Sequence, residues 1–226
     1  MSKFDELAES YTDVLQQNLR FIPGGVDYYT EYRAYFTHRF SPETRNAPTI
    51  LDFGCGVGTS IPHLTTYFPY SQISACDVSE ESVRVASEQY RHVKFTSFEN
   101  LKSQTFDLIF VAGVFHHIES NRRATIADEL CNMLTPNGRI CIFELNPRNP
   151  ITRRLVANCA FDEDAELLTK EQLVSHLTDI KYITQVASRY TVFFPPLFGR
   201  LRRLEKLLSW FPYGAQYFVV FEKQSQ

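Results

Sequence analysis

The feature that most constrains this chain is a short apolar run that leads directly into a loop with glycine at every second position. The apolar run covers residues 49–53 and contains Asp52, and the glycines that follow are Gly54, Gly56 and Gly58. Glycine permits backbone conformations and a close ligand approach that a β-carbon would block. A helical pattern comes next, so the free N–H groups at the start of that helix can face the same ligand. The run therefore predicts a buried strand that ends in a ligand-binding loop.

The spacing of the glycines indicates which kind of ligand to expect. They are spaced G-x-G-x-G directly after an acidic residue, whereas the dinucleotide fingerprint is G-x-G-x-x-G without a carboxylate so close before it. Thr59 stands where that fingerprint needs its third glycine, so the dinucleotide pattern fails. Asp77 closes a second strand-like run at 72–76, where a carboxylate can accept hydrogen bonds from two ribose hydroxyls. A glycine turn without a ligand is the competing interpretation, and the agreement of the two signals disfavours it.

From Pro48 onward, strand and helix patterns alternate, which is typical of a doubly wound parallel sheet in an α/β protein. Strands are predicted at 49–53, 72–77, 92–96, 106–112 and 139–144, and helices from about 59, at 79–90 and at about 120–134. Residues 135–138 read Thr-Pro-Asn-Gly, which stops a helix and turns the chain into the next strand. A capping box at 169–172 opens another helix. Two last strands, near 182–194 and 215–222, flank a helical pattern at 197–209.

The segment before the first strand has helical spacing of its own. Apolar residues recur at helical intervals over 4–19, the sequence Pro-Gly-Gly at 23–25 interrupts the pattern, and an aromatic stretch from Tyr28 to Phe36 is spaced as another helix. We interpret residues 1–226 as a single domain. Residues 1–47 form an N-terminal helical lid, and residues 48–226 form the binding core with substrate-side additions after 145.

Composition bounds the partners and the compartment. No apolar run approaches the ~20 residues that a bilayer-spanning helix needs, and the first residues lack the apolar core of a signal peptide. The five cysteines are odd in number and include no C-x-x-C pair, as expected of reduced thiols. The formal charge of −3 provides no overall field that would attract a polyanion. The sequence therefore predicts a soluble cytoplasmic protein that does not bind nucleic acid.

Together, the glycine loop after Asp52 and the acidic Asp77 resemble the cofactor site of class I S-adenosylmethionine (SAM) dependent methyltransferases of the small-molecule type. The resemblance runs from about Phe4 to Glu222 and is sharpest between 50 and 147. Residues 4–11 resemble the F-D-x-x-A-x-x-Y opening of this group, and 106–118 resemble its F-D segment that ends in histidine. The resemblance implies a Rossmann-like, doubly wound, mostly parallel seven-stranded sheet with an antiparallel final strand. It also implies that the first helices cover SAM as a lid and that the last two strands flank a helical insertion.

The resemblance also assigns roles around the cofactor. In such enzymes the glycine loop holds the methionine part of SAM, the residue at Asp77 holds the ribose, and Val78 lies against adenine. Ser97 replaces the Asp that often binds the adenine amine, so Glu99 or the Phe98 backbone is expected to take over. The residues expected to bind SAM are Tyr11, Asp52, Gly54, Cys55, Gly56, Gly58, Asp77, Val78, Phe98, Glu99, Ala112 and Gly113.

Methyl transfer needs an acceptor lone pair in line with the S–methyl bond and the right protonation state of the acceptor. His117, at the end of the fourth strand, is the candidate base or acceptor-orienting group, and a packing role is the alternative. Glu144, after the fifth strand, is a candidate to bind an acceptor hydroxyl or ammonium, or equally to cap a neighbouring loop. His116 is interpreted as a packing residue.

No metal site is predicted, because adjacent histidines should diverge and the acidic run at 162–164 is typical of a solvated turn. The basic helical pattern at 197–210 could contact anionic lipid peripherally, although a lid helix packed on the sheet with its basic residues solvated is favoured over that interpretation. The Asn-Pro-Pro-Tyr motif of DNA and protein amide methylases is absent after the fourth strand. Asn146-Pro147 resembles a subgroup that modifies bacterial small molecules and glycans.

These features favour methyl transfer to an oxygen or nitrogen of a small-molecule acceptor, such as a sugar or a natural-product or glycan precursor. A macromolecule-directed methylase and a noncatalytic SAM-binding module are the alternatives. The intact glycine loop with both acidic residues argues against a degenerate scaffold. Neither the acceptor nor the oligomeric state follows from the sequence.

Overall fold

The computed structural model describes Asp5 and residues 25–41, 47–194 and 204–225. The predicted lid helix at 4–19, with Tyr11, therefore lies outside the described residues except at Asp5. Most of the predicted basic helix at 197–209 lies outside them as well. The architecture below refers to the described ranges.

Seven strands belong to one sheet. They are β1 Thr49–Phe53, β2 Gln72–Cys76, β3 Lys94–Phe95, β4 Phe106–Ala112, β5 Leu134–Leu145, β6 Ile183–Thr191 and β7 Gln216–Lys223. The α-helices are α1 Gly25–Arg39, α2 Ile61–Tyr67, α3 Glu80–Gln89, α4 Phe98–Leu101, α5 Arg123–Asn132, α6 Pro150–Ala157, α7 Lys170–Thr178 and α8 Glu205–Leu208. Two short 3₁₀ helices cover Phe115–His117 and Ala160–Asp162.

The strand order is β3-β2-β1-β4-β5-β7-β6, and β7 runs antiparallel to both of its neighbours. The predicted doubly wound sheet with an antiparallel final strand is confirmed. The order reverses between β1 and β4, which pair in parallel at the centre of the sheet. In open α/β sheets, ligands bind in the crevice at the carboxyl ends of the strands beside this switch point. The glycine loop after β1 and the histidines after β4 both lie at that crevice.

Most predicted boundaries are close to the observed ones, and two strands differ. β3 has only two residues instead of the five predicted, and β5 begins at Leu134 instead of 139. Phe106 pairs with Leu134 and Leu108 pairs with Arg139, so residues 135–138 bulge out of the ladder. Asn137 adopts the left-handed conformation there, with φ 62°. The predicted turn is present, but the strand continues on both sides of it.

The sheet is covered on both faces. One face packs against α5 and α7, and the other against α1 and α2. On the second face, Phe36 of α1 stacks on Phe218 of β7, with ring centroids 5.3 Å apart. The Tyr32 hydroxyl donates to Glu205 Oε2 at 2.7 Å, which ties α1 to α8. The second half of α1 is thus core, while its first turns extend over the carboxyl ends of the strands.

The state of the cysteines and the length and polarity of the helices concern the predicted cytoplasmic location. All five cysteines are free and buried, as expected of reduced thiols. Within the described ranges, each helix is too short or too polar to span a lipid bilayer.

A buried carboxylate ties the amino-terminal ends of three strands together. Asp107 is 3% exposed, and its Oδ2 accepts hydrogen bonds from the Thr49 backbone N–H at 3.0 Å and from the Thr49 hydroxyl at 3.1 Å. Its Oδ1 accepts from the Thr135 hydroxyl at 2.8 Å. Because these donors belong to β1 and to the bulge of β5, Asp107 fixes the register on both sides of β4.

We predict that Asp107→Ala lowers the free energy of unfolding by about 3 kcal/mol, because it leaves buried donors of Thr49 and Thr135 without an acceptor. Urea denaturation followed by circular dichroism measures the change. The exposed Asp179→Ala serves as the control and should lie within about 0.5 kcal/mol of wild type. An equal, small effect of both substitutions would contradict the assigned role of Asp107.

Candidate functional site

A cavity of about 540 Å³ opens at the carboxyl ends of β1, β2 and β4. This volume lies within the range of about 300–1,000 Å³ typical of small-molecule sites. One side of the cavity is formed by the glycine loop and by the residues that follow β2. The other side is formed by the histidines after β4, the first turns of α1, and the segment from α6 to Asp162. The cavity thus joins the predicted cofactor residues to residues contributed by distant parts of the chain.

The glycine loop has the backbone that the sequence predicts. Gly54, Gly56 and Gly58 all have positive φ, at 74°, 52° and 80°. A Cβ on Gly54 would lie 2.4 Å from the side chain of Val114, so glycine is required where the loop meets the segment after β4. The backbone N–H groups of Gly54 and Cys55 both donate to the Cys76 carbonyl, which holds the loop against β2.

Gly58 has a role in packing. It is not among the described residues that line the cavity, and a Cβ there would lie 2.8 Å from the Tyr90 ring and 2.9 Å from Ile61. The predicted contact of Gly58 with the cofactor stays a prediction. This glycine allows the turn into α2 and close packing against α3 and its C-terminal residue Tyr90.

Asp77 is positioned by backbone donors at the edge of the cavity. Its Oδ2 accepts from the Gly56 N–H at 2.8 Å, and its Oδ1 accepts from the Ser79 N–H at 2.9 Å. Burial raises the pKa of Asp77, and the backbone hydrogen bonds oppose that shift. The Asp5 carboxylate accepts from the Ser79 hydroxyl at 2.8 Å, so one residue of the N-terminal segment reaches this edge. Val78 lines the cavity although it is 82% exposed, which leaves an apolar surface ready for a flat ligand group.

Asp52 is a buried acid without a full set of partners. It is 2% exposed, and its Oδ2 has no hydrogen-bond partner among the described residues. Burial raises the pKa of Asp52 to about 7, and the nearby Asp77 contributes to the shift. Buried carboxylate oxygens are normally hydrogen-bonded. An unpartnered oxygen at the cavity wall fits a cationic or hydrogen-bond-donating group of a ligand.

Of the two residues after β3 that were expected near adenine, Phe98 lines the cavity and Glu99 does not. Phe98 lines the cavity and packs against Phe53, with ring centroids 5.0 Å apart. Glu99 is not among the described lining residues, and its largely exposed carboxylate pairs with Lys102 at 2.8 Å. The Glu99 side chain points to solvent in this structure, and its adenine contact stays a prediction. Cys55, Ala112 and Gly113 line the cavity, and their contact with the cofactor stays a prediction.

Glu144 lies beneath the segment that follows β4. It is 1% exposed and is not among the described residues that line the cavity. Its Oε1 accepts from the backbone N–H groups of Val114 at 2.9 Å and Phe115 at 2.7 Å, and its Oε2 contacts His116 Nδ1 at 2.5 Å. The structure thus matches the loop-capping alternative, and the predicted direct contact of Glu144 with an acceptor is corrected.

His116 and His117 converge instead of diverging. The 3₁₀ turn at 115–117 brings their ring centroids to 4.1 Å. Nε2 of His116 and Nε2 of His117 lie 3.5 Å and 3.4 Å from Oδ1 of Asp162. All three residues line the cavity. The reasons given for excluding a metal, namely divergent histidines and a solvated turn at Asp162, were wrong. His116 is buried and paired with Glu144, and its interpretation as a packing residue stays a prediction.

The charges of this cluster are strongly coupled. Burial lowers the pKa of His116, but the carboxylates of Glu144 and Asp162 outweigh it and raise the pKa to about 9. Burial likewise opposes ionisation of both acids, yet the facing histidines hold the pKa of Glu144 and of Asp162 below their usual values. Both carboxylates are therefore ionised at neutral pH.

Several cavity residues were not predicted as site residues. Tyr29 and Arg33 lie on one face of α1, four residues apart, and Arg33 Nε donates to Gln216 Oε1 of β7 at 3.1 Å. Arg122, before α5, also lines the cavity. The i, i+4 spacing of Tyr29 and Arg33 was a usable signal for a shared face. Asp162 and Gln216 carried no such signal, because only tertiary packing brings them to the site.

Comparison with known proteins identifies the domain. A family model described as a methyltransferase domain matches residues 51–140. An uncharacterized protein of Synechococcus sp. is 33% identical over 107 residues, covering 42% of this chain and 25% of that protein. The trans-aconitate 2-methyltransferase of Azoarcus sp. is 30% identical over 107 residues, covering 46% of this chain and 41% of that protein. The match spans less than half the length of these relatives.

Solved structures share the fold. A SAM-dependent methyltransferase from Archaeoglobus fulgidus superposes with a TM-score of 0.68 at 14% identity, covering 95% of this chain and all of that one. The plantazolicin methyltransferase BpumL, in complex with S-adenosylhomocysteine (SAH), superposes with a TM-score of 0.61 at 18% identity, covering 99% of this chain and 98% of that one. The family match and the fold confirm the resemblance to class I SAM-dependent methyltransferases. SAM is the cofactor of this class.

The unpartnered Asp52 gives a pH-dependent prediction for the ligand-free protein. The folded state keeps a proton on Asp52 up to about pH 7, whereas an unfolded Asp loses it near pH 4. The unfolded state therefore binds fewer protons between these values, and this group lowers stability as the pH rises through that window. Asp52→Asn should accordingly be neutral at pH 4 and stabilising by on the order of 2–4 kcal/mol at pH 8.

Urea denaturation at a series of pH values from 4 to 8 measures this difference. Asp179→Asn, at an exposed position, is the matched control. A stability difference for Asp52→Asn that is the same at pH 4 and pH 8 would show that the folded protein does not hold this proton.

Proposed function

Because the chain carries a class I SAM-dependent methyltransferase domain, we propose that the protein transfers a methyl group from SAM to an oxygen or nitrogen atom of a small molecule. One observation carries the proposal. The glycine loop with Asp52 and Asp77 opens into the same cavity as His116, His117 and Asp162. A cofactor site and a polar, titratable acceptor site are thereby joined in one volume.

The residues around the glycine loop fit SAM. The unpartnered Oδ2 of Asp52 suits the ammonium group of the methionine part, and the positive φ angles of Gly54 and Gly56 give the loop its turn beside that oxygen. Asp77 keeps lone pairs beyond those used by its two backbone donors, so it can accept bonds from the ribose hydroxyls. Val78 and Phe98 provide apolar surface for adenine. When bound, SAM supplies an electrophilic methyl group on a sulfonium centre.

On the acceptor side, His117 is proposed to orient the acceptor or to take up the proton that the acceptor loses. Its side chain lines the cavity, and Asp162 restrains its ring through the 3.4 Å approach to Nε2. Glu144 acts indirectly, because it holds Val114, Phe115 and His116 in place without reaching the cavity. The protein's contribution is thus the orientation of the acceptor and control of its protonation.

The acceptor half favours a small polar or anionic molecule. Tyr29, Arg33 and Arg122 line it, and α1 and α6 contribute to its walls. The relative from Azoarcus is named for trans-aconitate, which makes carboxylates a sensible first class to screen beside sugars and amines.

A macromolecule-directed methylase is less favoured, because α1 lies over the carboxyl ends of the strands. The intact cofactor loop supports catalysis over a noncatalytic SAM-binding role. Separately, the free buried thiols support a cytoplasmic location.

We predict that Asp77→Ala weakens the binding of SAM and SAH by 2–3 kcal/mol, or on the order of 30–150-fold, because charge-assisted bonds to two hydroxyls are lost. Isothermal titration calorimetry measures the change. Asp179→Ala is the control and should bind like wild type. If a folded Asp77→Ala protein binds SAM as tightly as wild type, the ribose assignment fails.

His117→Ala tests the acceptor side once a turnover screen over hydroxylated, carboxylated and amine compounds has found an acceptor. We expect an unchanged SAM affinity and a turnover at least ~100-fold lower, as is typical for loss of a general base or a positioning group. His92→Ala, at an exposed position, is the control. A turnover within a few-fold of wild type, together with lower thermal stability, would assign His117 a packing role.

A further inference from the structure

We propose that His116, His117 and Asp162 bind a divalent cation of the zinc type at the acceptor end of the cavity. Their candidate ligand atoms all lie within 4.8 Å of one another. Two imidazoles and one carboxylate with an open side is a ligand set that divalent transition metals accept. The binding of the cation is independent of the proposed function, and only its catalytic consequence rests on that function.

Asp162 lies close to both histidines, at ion-pair separations that a shared cation could take over. Asp162 Oδ1 lies 3.5 Å from Nε2 of His116 and 3.4 Å from Nε2 of His117. Good N–H···O hydrogen bonds are shorter, at about 2.7–3.2 Å. Ligands about 2.1 Å from a tetrahedral ion lie about 3.4 Å apart, whereas octahedral neighbours lie about 3.0 Å apart. The two separations to Asp162 are compatible with ligands of one shared ion.

The surroundings of His116 orient it as a ligand. Its Nδ1 lies 2.5 Å from Glu144 Oε2, a short charge-assisted hydrogen bond in which the imidazole donates. When a cation displaces the hydrogen on Nε2, the other hydrogen stays on Nδ1 and the lone pair of Nε2 points toward Asp162 and His117. Metal-bound histidines almost always donate their other ring N–H to a carboxylate or carbonyl, which fixes the ring and its tautomer. The two further hydrogen bonds to Glu144, from Val114 and Phe115, hold that carboxylate in place.

The charges of the cluster suit a divalent cation. A Zn²⁺ ion would be balanced by the carboxylates of Asp162 and Glu144, with both imidazoles neutral, so the site as a whole would be uncharged. That balance matters because the proposed cofactor brings a positive sulfonium into the same cavity. His116 is 3% exposed and His117 is 22% exposed, so the cluster is shielded on one side and open on the other. The open side leaves a coordination position for the acceptor.

A cation at this position would define the acceptor chemistry more closely. An oxygen bound to Zn²⁺ ionises more readily, since the metal stabilises the conjugate base. The acceptor class would then be a molecule that presents a hydroxyl, and the two histidines would orient it through the cation. Without a cation, the same residues form an ion-pair network in which His116 lies between two carboxylates. Titration with metal separates these two arrangements.

The test uses the full chain, freed of metal with a chelator and titrated with Zn²⁺ in competition with a chromophoric chelator. We expect one site per chain. Asp162→Asn should weaken Zn²⁺ binding at least about 100-fold, because a ligand is lost. Glu144→Gln should weaken Zn²⁺ binding about 10–100-fold, as is typical when the outer partner of a metal-bound histidine is changed. His92→Ala, which removes an exposed histidine outside the cluster, should bind Zn²⁺ like wild type.

Co²⁺ binding to the wild-type protein provides a readout that needs no variant. A tetrahedral site should give intense visible absorption bands with a stoichiometry of one. If neither Zn²⁺ nor Co²⁺ binds at one site per chain, or if Asp162→Asn binds Zn²⁺ as tightly as wild type, the proposal is overturned. SAM calorimetry on the same samples separates the two ideas. Zn²⁺ binding without SAM binding refutes the proposed function alone, and SAM binding without Zn²⁺ binding refutes the cation site alone.

Discussion

The arrangement of the acceptor side depends on one buried carboxylate. Glu144 lies at the carboxyl end of β5, and its oxygens accept two backbone N–H groups and one imidazole from the segment after β4. Burial of an isolated carboxylate would be strongly unfavourable, and these three donors are what stabilise its charge here. Because β4 and β5 are adjacent and paired, a single side chain is enough to fix the turn that brings His116 and His117 together. The shape of the cavity wall follows from that contact.

Three acids near the cavity show how the same functional group acquires different roles. Glu144 has three donors and is ionised, whereas Asp52 is equally buried but has an oxygen without a partner, and its pKa rises to about 7. Asp77 is intermediate, with one backbone donor on each oxygen. A fully satisfied carboxylate supports structure, and an unsatisfied one has capacity left for a ligand. The unpartnered oxygen thus separates Asp52 from the structural acid Glu144.

The parts of the site that the sequence predicts are those that local backbone geometry determines. Gly54 and Gly56 adopt left-handed conformations, and Asp77 lies directly after β2, so a pattern of neighbouring residues was sufficient to place them. Gly58 fits the same pattern but serves packing, which a one-dimensional spacing does not distinguish. The convergence of His116 with Asp162 joins residues 46 positions apart through a turn and a 3₁₀ helix. No periodicity encodes that contact, so it emerged only from the tertiary structure.

The cofactor half and the acceptor half of the cavity have different origins in the chain. The methyltransferase family match covers residues 51–140, which include the glycine loop, Asp77 and the paired histidines. Tyr29, Arg33, Asp162 and Gln216 lie outside that stretch yet line the same cavity. Similarity within the matched stretch therefore concerns cofactor binding and the histidine turn. The proposed choice of acceptor would then fall to α1 and to the segments after β5, which supply Arg33, Tyr29 and Asp162 to the cavity wall.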